Sequence, residues 1–312
     1  MSTTLPDQLK WEYSAFPVQI SQKHRLSPGF MRITFSGEKL RFFGQWGLDQ
    51  RIKVIIPSPA GNIPDFGILE EPTPPPTLWL PRAKSFPVEK RPILRTYTPS
   101  AVRPELCEVD IDIYLHNPSG PVSRWAKNCS VDDELIITGP DVRAGETGYG
   151  ITYHPTSAID RLCLIGDCAL APAIANIVNQ SKVPTTVFLH VDSLEDDVLI
   201  ADSSTKLTFE DIDAYKAKVF QWASANAADP SVHFWIAGET SMVRFIRKEL
   251  INSYRVDSSR ITFLGYWKYG RRTVDQLSDS DPRTPKPSSK KVEEGFGILV
   301  AGAGFEPTTS GL

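Results

Sequence analysis

The second half of the chain alternates between short apolar strands and helical segments, and this pattern restricts the fold more than any other feature of the sequence. The strand-like runs are continuous apolar stretches, and the segments between them have helical periodicity. Strands that alternate with helices form an open, mostly parallel α/β sheet. The four predicted strands are DRLCLIGD (160–167), TTVFLHVD (185–192), VHFWIAGE (232–239) and RITFLGYW (260–267).

The first half consists of short strands separated by turns. Two alternating runs flank Pro28-Gly29, and a third run, EVDIDIYLH (108–116), also alternates between apolar and polar residues. About six such strands predict a small antiparallel β-barrel. The proline-rich segment 57–92 is predicted to be a loop, because proline removes the N–H donors that a ladder or a helix needs. In each of the three alternating runs the apolar residues share one face of the predicted strand: Phe16, Val18 and Ile20 in the first, Met31, Ile33 and Phe35 in the second, and Val109, Ile111, Ile113 and Leu115 in the third.

A chain of 312 residues is long enough for two domains. We predict a barrel domain over residues 1–156 and an α/β domain over residues 157–272. Residues 273–312 are polar and rich in proline and serine, and they are predicted to form a mobile tail.

Composition and charge exclude several functional classes. The formal net charge of −3 gives no sign of a nucleic-acid-binding protein. No apolar run approaches the about 20 residues that span a bilayer, and the first residues do not resemble a signal peptide. The four cysteines form no C-x-x-C pair and the five histidines are scattered, so we predict no metal site. A reduced, cytoplasmic protein is expected.

The stretch RTYTPS (95–100) carries the first candidate binding residues. On a strand, Arg95 and Tyr97 project to one face, and Thr98 to the other unless Pro99 bends the chain. An arginine there can bind a pyrophosphate, a tyrosine can lie against a flat ring, and a threonine can hydrogen-bond a ring nitrogen. The alternative is a barrel strand that carries one surface arginine.

A second candidate element follows about 20 residues later, in GPVSRWAKN (120–128). Gly120-Pro121 is predicted to form a turn, and Ser123 to be the N-cap of a short helix over 124–128. The free N–H groups at a helix N-terminus suit a pyrophosphate. Together with Arg95, this helix predicts a dinucleotide cradle, and the alternative is a bare turn followed by a capped helix.

The chain resembles the siderophore-interacting protein family, whose members are flavoenzymes that reduce iron(III)-siderophores. The matching motifs run in family order over about residues 15–272 and include RTYT, GPVSRWA, GDCALAPAI, WIAGE and GYWKYGR. The resemblance implies a ferredoxin-reductase-like fold, with a β-barrel that binds FAD and an α/β domain that resembles NAD(P)-binding domains. The residues expected to contact FAD are Arg95, Tyr97, Thr98, His116, Gly120, Val122, Ser123 and Trp267.

The expected electron-donor site departs from a glycine-rich dinucleotide turn. The first strand of the α/β domain ends in one glycine, Gly166, which is followed by Asp167, and an aspartate repels phosphate. Asp167 and Ala169 match the acidic turn of the family, whereas Cys168 stands where an acidic residue is usual. Gly238 and Glu239 end another strand, where sheets of this type receive ligands. The donor can be NAD(P)H or reduced ferredoxin.

The bulky, usually anionic ferric siderophore is expected to meet cationic side chains near the flavin. By motif position the candidates are Lys53, Arg124 and Lys268, and each has the alternative of being a solvated surface charge. Tyr266 and Trp267 are candidates for the wall of the flavin pocket, with ordinary core packing of the last strand as the alternative.

We therefore predict a monomeric, FAD-dependent ferric-siderophore reductase that releases iron(II) in the cytoplasm. Two alternatives have different requirements. A general NAD(P)H–flavin or ferredoxin oxidoreductase would need a fuller glycine turn than this chain has. A non-catalytic siderophore-binding protein would not need the RTYT and GPVSRWA motifs.

Overall fold

The computed structural model describes residues 12–58, 61–155, 158–200 and 205–268. The predicted domain boundary at 156/157 and the predicted tail over 273–312 lie outside the described residues. No helix within the described ranges is long and apolar enough to cross a membrane.

The first half forms a seven-stranded antiparallel sheet in the order β4-β3-β7-β1-β2-β6-β5. Its two outer strands, β4 and β5, are consecutive in the chain, so residues 98–100 join the two edges of the rolled sheet. The strands are β1 (Tyr13–Arg25), β2 (Phe30–Ser36), β3 (Ile52–Ile56), β4 (Ile93–Tyr97), β5 (Ala101–Arg103), β6 (Glu108–Tyr114) and β7 (Glu134–Pro140).

The interior of this half-barrel contains all ten apolar residues that period-two alternation placed together on strand faces. Helix α2 (Pro121–Asn128) closes the core, since Val122 and Ala126 pack into the same cluster. The opposite face is not uniformly polar, since Ala15, Ile55 and Ile136 on it belong to a second apolar cluster.

The prediction that residues 57–92 form a loop is wrong for its central part, where helix α1 spans Pro76–Ser85. Proline is tolerated in the first helical turn, where its missing N–H has no helical partner to lose. Trp79 and Ala83, four residues apart, are buried against the outer face of the sheet. The Trp79 indole donates to the Tyr13 hydroxyl at 3.0 Å. Burial of this helical face therefore overrides the local signal from the prolines.

The second half is a five-stranded parallel sheet in the order β10-β9-β8-β11-β12, as the alternating pattern predicted. One strand, β10, was missed because it is a partly exposed edge strand without an apolar run. The strands are β8 (Arg161–Asp167), β9 (Thr185–His190), β10 (Thr205–Phe209), β11 (Val232–Glu239) and β12 (Ile261–Trp267), and the helices are α3 (Ala171–Gln180), α4 (Ile212–Asn226) and α5 (Thr240–Asn252).

The strands of this parallel sheet are added first on one side of β8 and then on the other. From β8 the chain proceeds to β9 and β10 on one side, and then crosses to β11 on the other side of β8. Such a switch point leaves a crevice at the carboxyl ends of the strands, where open α/β sheets bind ligands. Asp167 and Glu239 end β8 and β11, which are neighbours in the sheet.

Buried contacts join the two halves. Phe30 of β2 packs into the core of the α/β half. The buried Asp49 carboxylate accepts the Thr152 N–H at 2.9 Å and the Trp235 indole N–H at 3.3 Å. Asn176 of α3 donates to the Pro99 carbonyl at 2.9 Å. These contacts hold the RTYTPS segment next to the first helix of the parallel sheet.

Candidate active site

Strand β4 presents Arg95 and Tyr97 on the same face, as strand geometry predicted. Across the ladder, Arg95 lies opposite Val54 and Tyr97 opposite Ile52, and both of these partners belong to the barrel core. The Tyr97 ring packs against that core. Thr98 follows the strand and is buried beside the Tyr266 phenol.

The Arg95 guanidinium is available to an anion. Its hydrogen bond is to the carbonyl oxygen of the preceding residue, Leu94, at 2.8 Å. No carboxylate pairs with it among the residues that the structure describes. An arginine that is half-buried and not ion-paired can form charge-assisted hydrogen bonds to a phosphate.

Helix α2 begins at Pro121, three residues earlier than predicted, so Ser123 is not its N-cap. The N-cap is Gly120, and no side chain caps the helix. Proline at the first helical position has the required φ and no N–H, which allows the earlier start. The Ser123 hydroxyl, on a side chain only 3% exposed, has no hydrogen-bond partner within the described residues.

The space in front of α2 is open. A Cβ placed on Gly120 would meet no atom within 4 Å. The first intrahelical bond is donated by Arg124 to the Gly120 carbonyl at 3.0 Å, which leaves the N–H groups of Val122 and Ser123 free of helical acceptors. Because α2 also contacts β4, its N-terminus and Arg95 belong to one region. These residues fit the pyrophosphate of a dinucleotide such as FAD.

Asp167, at the carboxyl end of β8, connects three parts of the α/β half. One carboxylate oxygen accepts the Ala169 N–H at 3.0 Å, and the other accepts the Glu239 N–H at 3.0 Å and the Trp267 indole N–H at 2.9 Å. Burial raises the pKa of Asp167 to about 6, although the three N–H donors oppose that shift. Asp167 therefore organises this edge of the sheet.

Gly238 is required at its position for two reasons. Its φ is +145°, a conformation that residues with a Cβ rarely adopt. A Cβ there would also lie 2.5 Å from a carboxylate oxygen of Asp167. Glycine lets β11 pass close enough to Asp167 for the next residue, Glu239, to donate its N–H.

Glu239 is the N-cap of α5. Its carboxylate accepts the N–H groups of Ser241 at 2.7 Å and Met242 at 2.9 Å. A shift in register between β11 and β12 pairs Glu239 with Trp267 rather than with Tyr266. The two aromatic residues consequently separate: Tyr266 packs against the apolar core, and Trp267 turns towards the carboxyl edge.

A cavity of about 590 Å³ lies at this edge. It is lined by all four residues predicted for the donor site, Asp167, Ala169, Gly238 and Glu239. Two residues predicted to contact FAD, His116 and Trp267, line the same cavity, and their rings lie 5.9 Å apart. Burial lowers the pKa of His116. The cavity thus brings the predicted donor residues next to part of the predicted cofactor set.

Several lining residues were not predicted. Asp192 and His190 come from the end of β9, and the Asp192 carboxylate accepts a hydrogen bond from the Tyr114 hydroxyl. The sulfur-bearing Cys168 is buried, and burial raises the pKa of its thiol to about 12. The rule that ligands bind at carboxyl ends of parallel strands would have identified His190 and Asp192, because both end a predicted strand.

The three predicted substrate cations have different surroundings. Lys53 alternates with the core residues of β3, so it lies on the face opposite Arg95, and it donates to the Thr96 hydroxyl at 2.7 Å. Arg124 donates to the Ser119 carbonyl at 2.8 Å and lines a groove of about 1530 Å³ beside α2. Lys268 is exposed immediately after β12.

Comparison with known proteins identifies the family of the chain. The family profile described as siderophore-interacting FAD-binding domain matches residues 19–144, and the siderophore-interacting protein profile matches residues 159–270. Ferric vibriobactin reductase ViuB of Vibrio cholerae is 27% identical over 270 residues, which cover 80% of this chain and 88% of that protein. The NADPH-dependent ferric-chelate reductase of Escherichia coli is 24% identical, over 84% of this chain and 96% of that protein.

The fold also matches a solved structure. The siderophore-interacting protein SipS from Aeromonas hydrophila superimposes with a TM-score of 0.62 at 23% identity, over 86% of this chain and 94% of that one. Ferredoxin reductases share the same arrangement of a half-barrel and a parallel sheet, as the sequence predicted. The chain therefore belongs to the siderophore-interacting protein family, whose members are FAD-dependent ferric-siderophore reductases.

Proposed function

We propose that this chain takes electrons from a reduced nicotinamide nucleotide at the carboxyl edge of the parallel sheet and passes them, through FAD, to iron(III) held by a siderophore. The observation that carries the proposal is the shared cavity, in which His116 and Trp267 meet the donor residues around Asp167. A donor held there would adjoin the cofactor.

FAD would be held by Arg95 and by the N-terminus of α2. Arg95 would bind the pyrophosphate from β4, while the N–H groups of Val122 and Ser123, which have no helical acceptor, would bind it from the other side. Tyr97 would lie against the flat ring, and Thr98 would hydrogen-bond it. FAD supplies chemistry that no side chain has, since it accepts an electron pair and returns the electrons one at a time.

The protein's own contribution is to position the groups and exclude water. Asp167 fixes Trp267 through the indole N–H, and Thr240 holds the Trp267 carbonyl with a hydrogen bond of 2.8 Å. The cavity volume of about 590 Å³ is within the range for small-molecule sites, about 300–1,000 Å³. The cavity therefore suits a small nicotinamide donor better than it suits a ferredoxin, which is a protein.

We propose a ferric siderophore as the substrate, because relatives over most of the chain carry the names ferric vibriobactin reductase and ferric-chelate reductase. Iron(II) binds hard oxygen ligands more weakly than iron(III), so reduction releases the metal. We place this release in the cytoplasm and expect a monomer. The four free cysteines suit a reducing compartment.

The test separates the two half-reactions. Anaerobic mixing with NADH or NADPH should bleach bound FAD, and the reduced protein should then be reoxidised by an anionic ferric siderophore. A double variant, Lys53→Met with Lys268→Ala, should slow the second half-reaction about tenfold at low salt and leave the first nearly unchanged. Lys84→Ala, an exposed lysine on α1, is the matched control. A double variant that reduces the siderophore as fast as wild type would contradict the role of these cations.

A colourless wild-type protein that ignores added FAD would exclude the reductase and favour a siderophore-binding protein. Bleaching by the donor without reoxidation by any ferric siderophore would instead favour a general flavin reductase.

The pH dependence of iron reduction tests Lys53 separately. Burial, together with nearby Arg51, lowers the pKa of Lys53 from 10.5 to about 8. If Lys53 attracts the anionic complex, siderophore reduction should slow as the pH rises through about 8, because the cation is lost. Lys53→Arg should keep its rate above pH 8, since arginine stays charged. Stopped-flow reoxidation of the reduced protein between pH 7 and 9 measures this.

The contribution of Lys53 to stability changes with pH in the opposite direction to the expected rate. The pKa of Lys53 is lower in the folded protein than in the unfolded chain, so between about pH 8 and 10.5 the unfolded chain binds more protons. Stability from this group therefore rises with pH in that range, in the direction opposite to the expected rate. A rate that is flat from pH 7 to 9, or one that falls equally in Lys53→Met, would contradict the proposed role.

A further inference from the structure

Carboxylates of the protein already accept backbone N–H groups at the start of α5 and in the turn that precedes α3. Asp167 accepts the Ala169 N–H in the turn that leads into α3, and Pro172, near the start of α3, has no N–H. Glu239 accepts two N–H groups in the first turn of α5. In dinucleotide-binding sheets, N–H groups at such positions bind phosphate. A phosphate here would have to displace a carboxylate and would be repelled by it.

The charge of the cavity lining also disfavours the binding of a phosphate. Within the described residues, the lining contains no lysine or arginine, and its acidic members are Asp167, Asp192 and Glu239. The remaining surface is largely apolar and comes from Ile165, Ile212, Ile236, Met242, Val243 and Ile246. The cavity is therefore suited to an uncharged or cationic ring with an apolar face.

We propose that this cavity binds only the nicotinamide–ribose part of the reduced donor, that the donor's phosphates stay outside, and that Asp167 and Glu239 determine this preference. The proposal rests on the donor site described under the proposed function. It predicts that a dihydronicotinamide without any phosphate is as good a donor as NADPH.

The acidic rim also suits the product of the reaction. Oxidation breaks the C4–H bond of the dihydronicotinamide, and the hydrogen leaves with both bonding electrons to the cofactor. The ring that remains is a pyridinium cation. Carboxylates around the cavity stabilise that positive charge, whereas they destabilise a diphosphate.

The experiment compares dihydronicotinamide riboside, NADH and NADPH as donors to the FAD-loaded protein. Anaerobic stopped-flow bleaching gives a second-order rate constant for each donor, and each is divided by the rate of the same donor with free FAD. We expect the normalised rate of the riboside to be equal to or above that of NADPH at low salt. Added salt should speed NADPH and leave the riboside unchanged, because it screens the repulsion of the phosphates.

A variant and its matched control test the role of Glu239. In Glu239→Gln, the side-chain carbonyl can still accept from the helix N–H groups while the charge is removed. The ratio of the NADPH rate to the riboside rate should rise about two- to fivefold. Glu249→Gln removes the same charge from the other end of α5, where Glu249 accepts the Ser253 hydroxyl, and it should leave the ratio unchanged.

Each outcome decides the question. A normalised NADPH rate more than threefold above that of the riboside would overturn the proposal while leaving the donor site in place. So would a ratio of the two rates that rises equally in both variants, or one that does not rise in Glu239→Gln. If no donor bleaches bound FAD faster than free FAD, the nicotinamide donor site itself is wrong. A normalised NADPH rate within threefold of the riboside rate or below it, with a rise confined to Glu239→Gln, supports the proposal.

Discussion

Arg95→Ala is expected to weaken FAD binding about ten- to hundredfold. The guanidinium is not ion-paired among the described residues, and it lies in the same region as the uncapped N-terminus of α2. Losing a charge-assisted contact to a phosphate costs roughly 1.5–3 kcal/mol, which corresponds to this change in affinity. Titration of the apoprotein with FAD, followed by flavin fluorescence, measures the dissociation constant.

The apoprotein itself should be almost unaffected, because within the described residues Arg95 contributes a single hydrogen bond, to the carbonyl of its neighbour Leu94. An unchanged melting temperature without FAD would therefore assign the loss to binding. Arg95→Lys should recover part of the affinity, since a lysine keeps the charge but not the paired donors. Arg82→Ala, on the exposed side of α1, is the control. Wild-type affinity in Arg95→Ala would remove Arg95 from the cofactor site.

Gly238→Ala is expected to destabilise the fold by about 2–4 kcal/mol. The backbone there is in a region open almost only to glycine, at φ +145°, and the new Cβ would lie 2.5 Å from the Asp167 carboxylate. To avoid that contact, Asp167 must move away from the N–H groups of Glu239 and Trp267. Chemical denaturation measures the free energy of unfolding, and donor-driven bleaching of FAD should also slow.

Gly148→Ala separates backbone strain from the collision. Gly148 has a φ of +67°, but a Cβ there would meet no atom within 4 Å. Gly148→Ala should therefore lower the free energy of unfolding by only about 1–2 kcal/mol, the cost of placing a Cβ in a left-handed conformation. Equal losses in the two variants would show that the contact with Asp167 does not matter.

The sequence predicted elements best where one physical signal dominates. Alternating apolar residues predicted the inner face of the half-barrel, because a strand places every second side chain on one side. Prediction from the sequence failed where a local signal conflicts with burial in the folded protein. Helix α1 begins at Pro76 in a proline-rich segment because Trp79 and Ala83 are buried on the sheet. Strand β10 is a partly exposed edge strand of five residues with only two apolar side chains, Leu207 and Phe209, so its alternation is too short to identify it.

The functional site was likewise predicted in part and missed in part. RTYT and GPVSRWA were recognisable as an arginine strand and a short helix. The position of the N-cap was wrong by three residues, because the φ of Pro121 suits the first helical position and allows the helix to begin without a capping side chain. Asp167 was recognised as unfavourable to phosphate. That its carboxylate accepts N–H groups from three separate segments was not visible in the sequence.

The sequence by itself determined most of the strands and helices, the two-domain layout and the membership of a family, because periodicity and motifs are local properties of the chain. Only the tertiary structure decided which residues meet. Asp167, Glu239 and Trp267 are separated by up to 100 positions, and they come together because β8, β11 and β12 are neighbours in a parallel sheet and end at the same edge. Contacts of this kind depend on strand order and on a one-residue shift of register between β11 and β12, and neither is encoded in any short stretch of sequence.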